Sequence, residues 1–244
     1  MGGAQFGAYG HDTTCYALVS GENALIADCG TGLWAAAEAV KHCKNVDVLI
    51  THFHFDHIAG LLTNAALCAR ARFFVPDFEN AEAELMSLAR EPFWPHGLGI
   101  THDRLFTVAD GEAFDSCVGG VAARATRHPG GGLIYRANTA DGGVCFAFDY
   151  DHGGNGTELL EFARGCRILV YDGMFDDAQY ASGMRGHSTA SAGAALSVAA
   201  GAGRLILTHH APYRDDAAIA RMEADARSDF AGASYAREGE RFAL

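Results

Sequence analysis

Val46-Asp47-Val48-Leu49-Ile50-Thr51-His52-Phe53-His54-Phe55-Asp56-His57-Ile58 decides how this chain is read. Val46 to Ile50 has the β-branched, apolar character of a buried strand, and it empties into a run of histidines before a helix expected from near Ile58. In extended backbone His52 and His54 point to the same side, two residues apart, and the following turn can bring Asp56 and His57 back to the same point. Neutral imidazole and carboxylate are ligand types for zinc, iron or manganese, and four of them at one strand end could hold two ions. The plainer reading, an exposed polar strand end with Asp56 and His57 capping a helix, fits poorly with four such residues between two apolar segments.

Outward from this stretch, the same position recurs. His128 follows the strand-like run 121–127 and precedes Pro129-Gly130-Gly131-Gly132; Asp149 follows 143–148; His209 follows 204–208. In α/β sheets ligands gather outside the carboxyl ends of strands, so these loci are expected to face one edge. Asp151 and Asp172 also lie near strand ends, and the residues alone leave open which carboxylate would bridge two ions.

Strand-like runs fall near 13–19, 23–28, 46–51, 72–76, 104–108, 121–127, 132–137, 143–148, 167–171 and 204–208. Helical runs fall at 32–43, 58–69, 79–90, 156–165, 188–201 and 214–227, with Ser188 or Thr189 as an N-cap and Asp215 and Asp216 in a first turn. Strands in hairpin-like spacing, then alternating with helices, predict an α/β layered sandwich. With no repeat or long linker, residues 1–244 are expected to form one domain. Segment 73–99 reads as an active-site rim or packing loop.

The 244 residues carry 18 Lys and Arg against 30 Asp and Glu, a formal charge of −12, which argues against a general nucleic-acid polymer binder. Apolar residues at 49% and charged residues at 20% exclude whole-chain disorder. No run suits a membrane span, the first residues lack signal-peptide form, and a cytoplasmic protein is the expectation. Seven scattered cysteines without a C-x-x-C pair indicate neither a disulfide framework nor a cysteine zinc knuckle. Gly30-Thr31-Gly32-Leu33-Trp34-Ala35 fits a dinucleotide-binding G-x-G-x-x-A, but the histidine cluster stands where the ribose-binding acid should be, so these glycines are read as a tight turn.

Taken together, Thr51-His52-Phe53-His54-Phe55-Asp56-His57, His128-Pro129-Gly130-Gly131, Phe148-Asp149, Gly186-His187-Ser188-Thr189 and Leu207-Thr208-His209-His210-Ala211-Pro212 resemble the metallo-β-lactamase superfamily, in its phosphodiesterase branch of ribonuclease Z-like and cyclic phosphodiesterase-like hydrolases. The resemblance spans nearly the whole chain, from Tyr9–Cys15 and Ala27–Gly32 as opening strands to Ala236-Arg237-Glu238-Gly239 as the closing one. It implies a four-layer αββα sandwich, two mixed β-sheets with helices on the outer faces. It further implies two divalent ions, zinc first with manganese or iron as alternatives: His52, His54 and His128 on one, Asp56, His57 and His209 on the other, and Asp149 bridging. Asp149 is chosen because Phe148-Asp149-Tyr150-Asp151-His152 resembles a family segment whose first acid is the ligand.

The same resemblance makes Asp56, Asp172 and His187 the catalytic residues, with metal-bridging hydroxide as nucleophile and His187 as general acid, supported by Asp172. A carboxylate beside an imidazole raises its pKa and fixes its orientation, which suits protonation of a leaving alkoxide. Two carboxylate ligands and a hydroxide against two divalent ions leave a net positive centre, so a small anionic phosphodiester is the expected substrate. Hydrolysis of a carboxylic ester, thioester or lactam, and a non-catalytic metal scaffold or sensor, are the alternatives. His11 and Asp12 depart from the Gly-Asn of the family. His96, His152 and His210 read as rim or supporting residues, Phe93 and Trp94 as core, Arg185 as a solvated loop charge, and a homodimer is the base-rate expectation.

Overall fold

The structure is a computed structural model describing residues 4–153 and 156–244, without the side chains of residues 4, 156 and 157; the chain packs as two compact units, residues 12–124, and residues 1–11 with 125–244.

In the 12–124 unit, β1 (Tyr16–Ser20), β2 (Asn23–Ala27), β3 (Asn45–Leu49), β4 (Arg72–Pro76) and β5 (Leu105–Val108) form a sheet in sequence order. Only β1 runs antiparallel to its neighbour; the remaining pairs are parallel. β2, β3 and β4 are buried at nearly every position, as parallel strands covered on both faces must be, which explains their largely apolar runs, interrupted in β3 by Asp47. α1 (Leu33–Ala39) packs its Leu33 and Ala36 into a core that includes Ile26, Val48, Ile50, Leu61 and Phe73. Each such large side chain contributes roughly 1.5–3 kcal/mol on burial.

The single helix expected over 58–69 is in fact α2 (Phe55–Ile58), a 3₁₀ turn and α3 (Ala65–Cys68). The break has a steric cause. The Gly60 amide bonds Cys29 O at 2.8 Å, and a Cβ at Gly60 would lie 2.2 Å from Gly30 O, so the segment is pinned against the 28–30 loop. α4 (Ala81–Ser87) follows β4, and β6 (Ala113–Ser116) and β7 (Gly119–Ala125) make an antiparallel hairpin. β6 escapes a sequence reading because it is four residues long and only partly apolar. Asp47, 1% exposed, ties the region together: it accepts Arg72 Nε at 2.7 Å and Nη2 at 2.6 Å, and the Cys117 amide at 2.6 Å.

In the other unit, β8 (Leu133–Thr139) and β9 (Gly142–Ala147) pair antiparallel, and β9, β10 (Ile168–Asp172), β11 (Arg204–Thr208) and β12 (Ala233–Tyr235) run parallel in that order. The closing strand lies three residues earlier than the expected 236–239. Arg237 and Glu238 instead meet Tyr9, whose carbonyl accepts the Glu238 amide at 3.2 Å and whose ring lies under the Arg237 guanidinium. α5 (Gly156–Ala163), α6 (Asp177–Ala181), α7 (Ala190–Ala200) and α8 (Asp216–Asp229) complete the unit. Thr189 caps α7 and Asp215 caps α8 through the Ala192 and Ala218 amides. α6 was unread from sequence; its reciprocal capping between Asp176 and Gln179 is what makes so short a helix hold.

All seven cysteines are free, five of them buried. Burial raises every thiol: Cys117 and Cys166 to about 11, Cys68 to about 12, and Cys15, Cys29, Cys43 and Cys145 upward as well. Among the described residues no helix is long and apolar enough to cross a membrane.

Candidate metal centre

In the 12–124 unit, β3 delivers the chain to His52 and His54, and α2 begins at once with Phe55, so Asp56 and His57 turn back on the strand end. The His52 ring centroid lies 4.5 Å from His54 and 4.2 Å from His57, and Asp56 Oδ2 lies 3.4 Å from His57 Nε2. Asp28, at the end of β2 and fully buried, organises the group. It accepts the Thr51 amide and hydroxyl, each at 2.7 Å, and bonds His57 Nδ1 at 2.7 Å. Burial pushes the Asp28 carboxyl up, and the His57 and Thr51 bonds oppose that shift. Since the Thr51 hydroxyl donates to Asp28, it accepts from His52 Nδ1, 3.0 Å away. Both rings therefore carry their proton on Nδ1 and present the Nε2 lone pair, a tautomer assigned from the bonding network.

In the other unit the ends of β9, β10 and β11 converge. Asp149 Oδ2 lies 3.3 Å from His128 Nε2, and Asp149 Oδ1 lies 3.3 Å from His209 Nε2. His128 Nδ1 donates to Gly186 O at 2.7 Å, which again turns the Nε2 lone pair inward. Asp172, fully buried, bonds His187 Nδ1 at 2.7 Å and accepts the amides of Ser188 and Met174 at 3.1 and 3.0 Å. The His187 ring stacks on His209 at 4.8 Å, and ligand atoms from Asp149, Asp172, His187 and His209 lie within 4.8 Å of one another.

The three carboxylates left open by the sequence are distinguished by what they touch. Asp149 faces one imidazole with each oxygen. Both oxygens of Asp151 are occupied away from the histidines: Oδ2 accepts the Gly186 amide at 2.9 Å, and Oδ1 accepts the Gly153 amide at 2.9 Å and the Tyr180 hydroxyl. Burial works against the charge on Asp151, but these donors hold its carboxyl below the usual range. Asp172 is occupied by His187 and two amides.

The remaining candidates fall elsewhere. His152 Nδ1 bonds the buried Ser188 hydroxyl at 2.7 Å, and burial lowers its pKa. His210 sits edge-on to Tyr9, also lowered by burial. Arg185 lies over the Tyr180 ring and donates to the carbonyls of Tyr180 and Met184. Phe93, expected in the core, is 76% exposed with Arg90 against its ring. His96 and His11 are exposed. Asp12 accepts the Thr31 hydroxyl at 2.9 Å, and Thr13 and Thr31 bond reciprocally, so Gly30-Thr31-Gly32 makes a turn. The sequence reading missed Asp28, Thr51, Asp151, Gly186 and Ser188 as supports of the histidines. Asp28 carried one readable signal, an acid at a strand end before a Gly-Thr-Gly turn.

The donor set suits divalent cations. Metal-bound histidines characteristically donate their second ring N–H to a carboxylate, hydroxyl or backbone carbonyl, which fixes the tautomer and aims the ring. His52, His57 and His128 all show this arrangement, with Thr51, Asp28 and Gly186 O as partners.

Comparison with known proteins agrees with this chemistry. The sequence profile described as the β-lactamase superfamily domain matches residues 23–210. Ribonuclease BN of Escherichia coli is 34% identical over 86 residues, 35% of this chain and 28% of the relative, so the match spans under a third of the curated relative's length. The metallo-β-lactamase fold protein YhfI from Bacillus subtilis superposes with a TM-score of 0.73 at 18% identity, over 96% of this chain and 92% of that one. A diphosphatase from the PhnP family superposes with a TM-score of 0.66 at 15% identity, over 95% and 85%. The fold is thus the α/β metallo-β-lactamase fold, mixed sheets with helices.

Proposed function

The chain belongs to the β-lactamase superfamily, and on that premise we propose that it is a metal-dependent hydrolase acting on a small anionic phosphodiester. In this reading His52, His54 and His128 hold one divalent ion, Asp56, His57 and His209 hold a second, and Asp149 is shared. Zinc is the first expectation; the nitrogen and oxygen donors also accept manganese or iron. When bound, two such ions supply Lewis acidity toward phosphate oxygens and lower the pKa of a water.

The observation that carries the phosphodiester reading is the Asp172–His187 pair beside Asp149 and His209. Asp172 holds His187 by Nδ1, so a protonated His187 delivers its Nε2 proton to the oxygen that leaves phosphorus. The amides of Ser188 and Met174 fix the carboxylate, so the ring keeps one orientation through the transfer. In this reading Asp56, in the first turn of α2, is both a metal ligand and a catalytic residue. Further support comes from names: one relative is a ribonuclease, and one structural neighbour a diphosphatase. The charge of −12 favours a small substrate over a polymer.

The test is hydrolysis of bis(p-nitrophenyl) phosphate by metal-quantified protein, with the His52→Ala, His54→Ala double variant as background. Turnover that tracks about two metals per chain and vanishes in the variant is expected. No turnover at full metal occupancy would sink the phosphodiester reading and move the chain to ester, thioester or lactam substrates.

A further inference from the structure

Asp151 lies two residues beyond Asp149 and is buried, yet neither of its oxygens turns to the histidines. Instead the carboxylate gathers three donors: the amide of Gly186, the amide of Gly153 and the hydroxyl of Tyr180. Gly186 is the residue whose carbonyl receives His128 Nδ1. Asp151 and His128 thus grip the same backbone residue from its two sides, the amide on one and the carbonyl on the other.

Gly186 is shaped for that role. Its φ of +90° is one that L side chains rarely adopt, and a Cβ there would sit 3.2 Å from Pro129 Cδ and 3.8 Å from His128 Nδ1. The loop is held again two residues on, where His152 bonds the Ser188 hydroxyl. His152 also stacks on Tyr180 at 3.9 Å, and Arg185 covers Tyr180 at 4.6 Å. Segment 182–188, between α6 and α7, is thus held by Asp151 and His152 in addition to Asp172 and Tyr171, which bond His187 and Ser188.

We propose that Asp151 is a positioning residue: through the backbone of Gly186 it sets the orientation and tautomer of the His128 ring, and so governs the affinity of the metal that His128 holds. The inference rests on the metal assignment of the preceding section, and its effect is local to one ion. In Asp151→Asn one oxygen becomes an N–H donor and must oppose either the Gly186 amide or the Gly153 and Tyr180 donors. The Gly186 carbonyl then moves, and His128 loses its fixed partner.

The experiment is zinc titration of wild type, Asp151→Asn, Tyr180→Phe and Gly186→Ala against a chromophoric chelator, together with ¹H–¹⁵N spectra of the histidine rings in zinc-free protein. Asp151→Asn and Gly186→Ala are expected to weaken one of two zinc ions about ten- to a hundredfold, the range for loss of such a support. The other ion should change by no more than about twofold, and the His128 Nδ1–H signal should shift or exchange faster. Tyr180→Phe, which leaves the Gly186 contact in place, should give a smaller shift in the same direction and serves should the Asp variant fail to fold. Thr189→Ala, which loses the α7 cap and a bond to the Ser191 hydroxyl, should lower Tm without moving zinc affinity. Unchanged zinc affinity and an unchanged His128 signal in Asp151→Asn would overturn the proposal, as would parallel weakening of both ions. A wild-type chain that takes up no zinc would refute the preceding reading instead, and the His128 signal would then decide this one alone.

Discussion

At the scale of single residues, the metal-ligand types and the groups that hold them are separate layers. Imidazoles were legible because their donor chemistry is rare and because strand-end spacing gathers them. Asp28 and Asp151 were not legible as supports, since each works by accepting groups from distant residues: Thr51 and His57 for one, Tyr180 and Gly186 for the other. The Asp172–His187 pair was legible only through resemblance, and its geometry gives it a specific expectation. His187→Ala should retain both metals and lose about a hundredfold or more in kcat on alkyl diesters, the scale of general acid catalysis. Nitrophenyl diesters, whose leaving group needs no proton, should lose far less. Equal loss on both substrates, measured with metal-quantified protein, would remove the general-acid role.

At the scale of elements, strand ends do the placing. Asp28, Asp149 and His209 follow β2, β9 and β11, and each has a positive φ of 59°, 47° or 61°. Such conformations cost of order 1–3 kcal/mol each outside glycine and persist where the surroundings enforce them. Central strands were readable because burial on both faces leaves mostly apolar runs; β6 was not, being four residues long and only partly apolar, α6 was not, being a five-residue helix held by its cap, and the broken 55–68 segment was not, because its break depends on the remote 28–30 loop. Asp47 shows how such a contact carries weight, joining β3, β4 and the β6–β7 turn through Arg72 and the Cys117 amide. Asp47→Ala should destabilise by about 1–3 kcal/mol, because it leaves the Cys117 amide without its acceptor, while the half-exposed Arg72 guanidinium can turn to water. Denaturant unfolding would read this, with a lower midpoint at unchanged slope; a loss under about 0.5 kcal/mol would show that the buried carboxylate contributes nothing net.

At the scale of the whole molecule, acidity and burial set the pH response. Burial holds the His152 pKa below the ordinary imidazole value, so the folded state prefers it neutral. Its contribution is therefore fully present above the unfolded pKa and is lost as pH falls through the folded one. Tm should stay level down to about pH 6.5 and then decline, and His152→Gln should make the decline shallower, as followed by thermal melts of metal-free protein. An identical decline in the variant would assign it to other groups. The class of fold and the metal chemistry could be read from sequence because both are local to strand ends. The grouping of residues 1–11 with 125–244 could not, since it is decided by long-range packing such as that of Tyr9 against Tyr235 and Arg237.

The cysteines have a further use that follows from their setting. Each unit carries its own: Cys15, Cys29, Cys43, Cys68 and Cys117 in one, Cys145 and Cys166 in the other. Thiols raised by burial stay protonated at neutral pH and resist alkylation while their surroundings stay closed. The native chain thus comes with positional reporters already installed, and a brief pulse of iodoacetamide followed by peptide mapping would date the opening of each half without introducing a label.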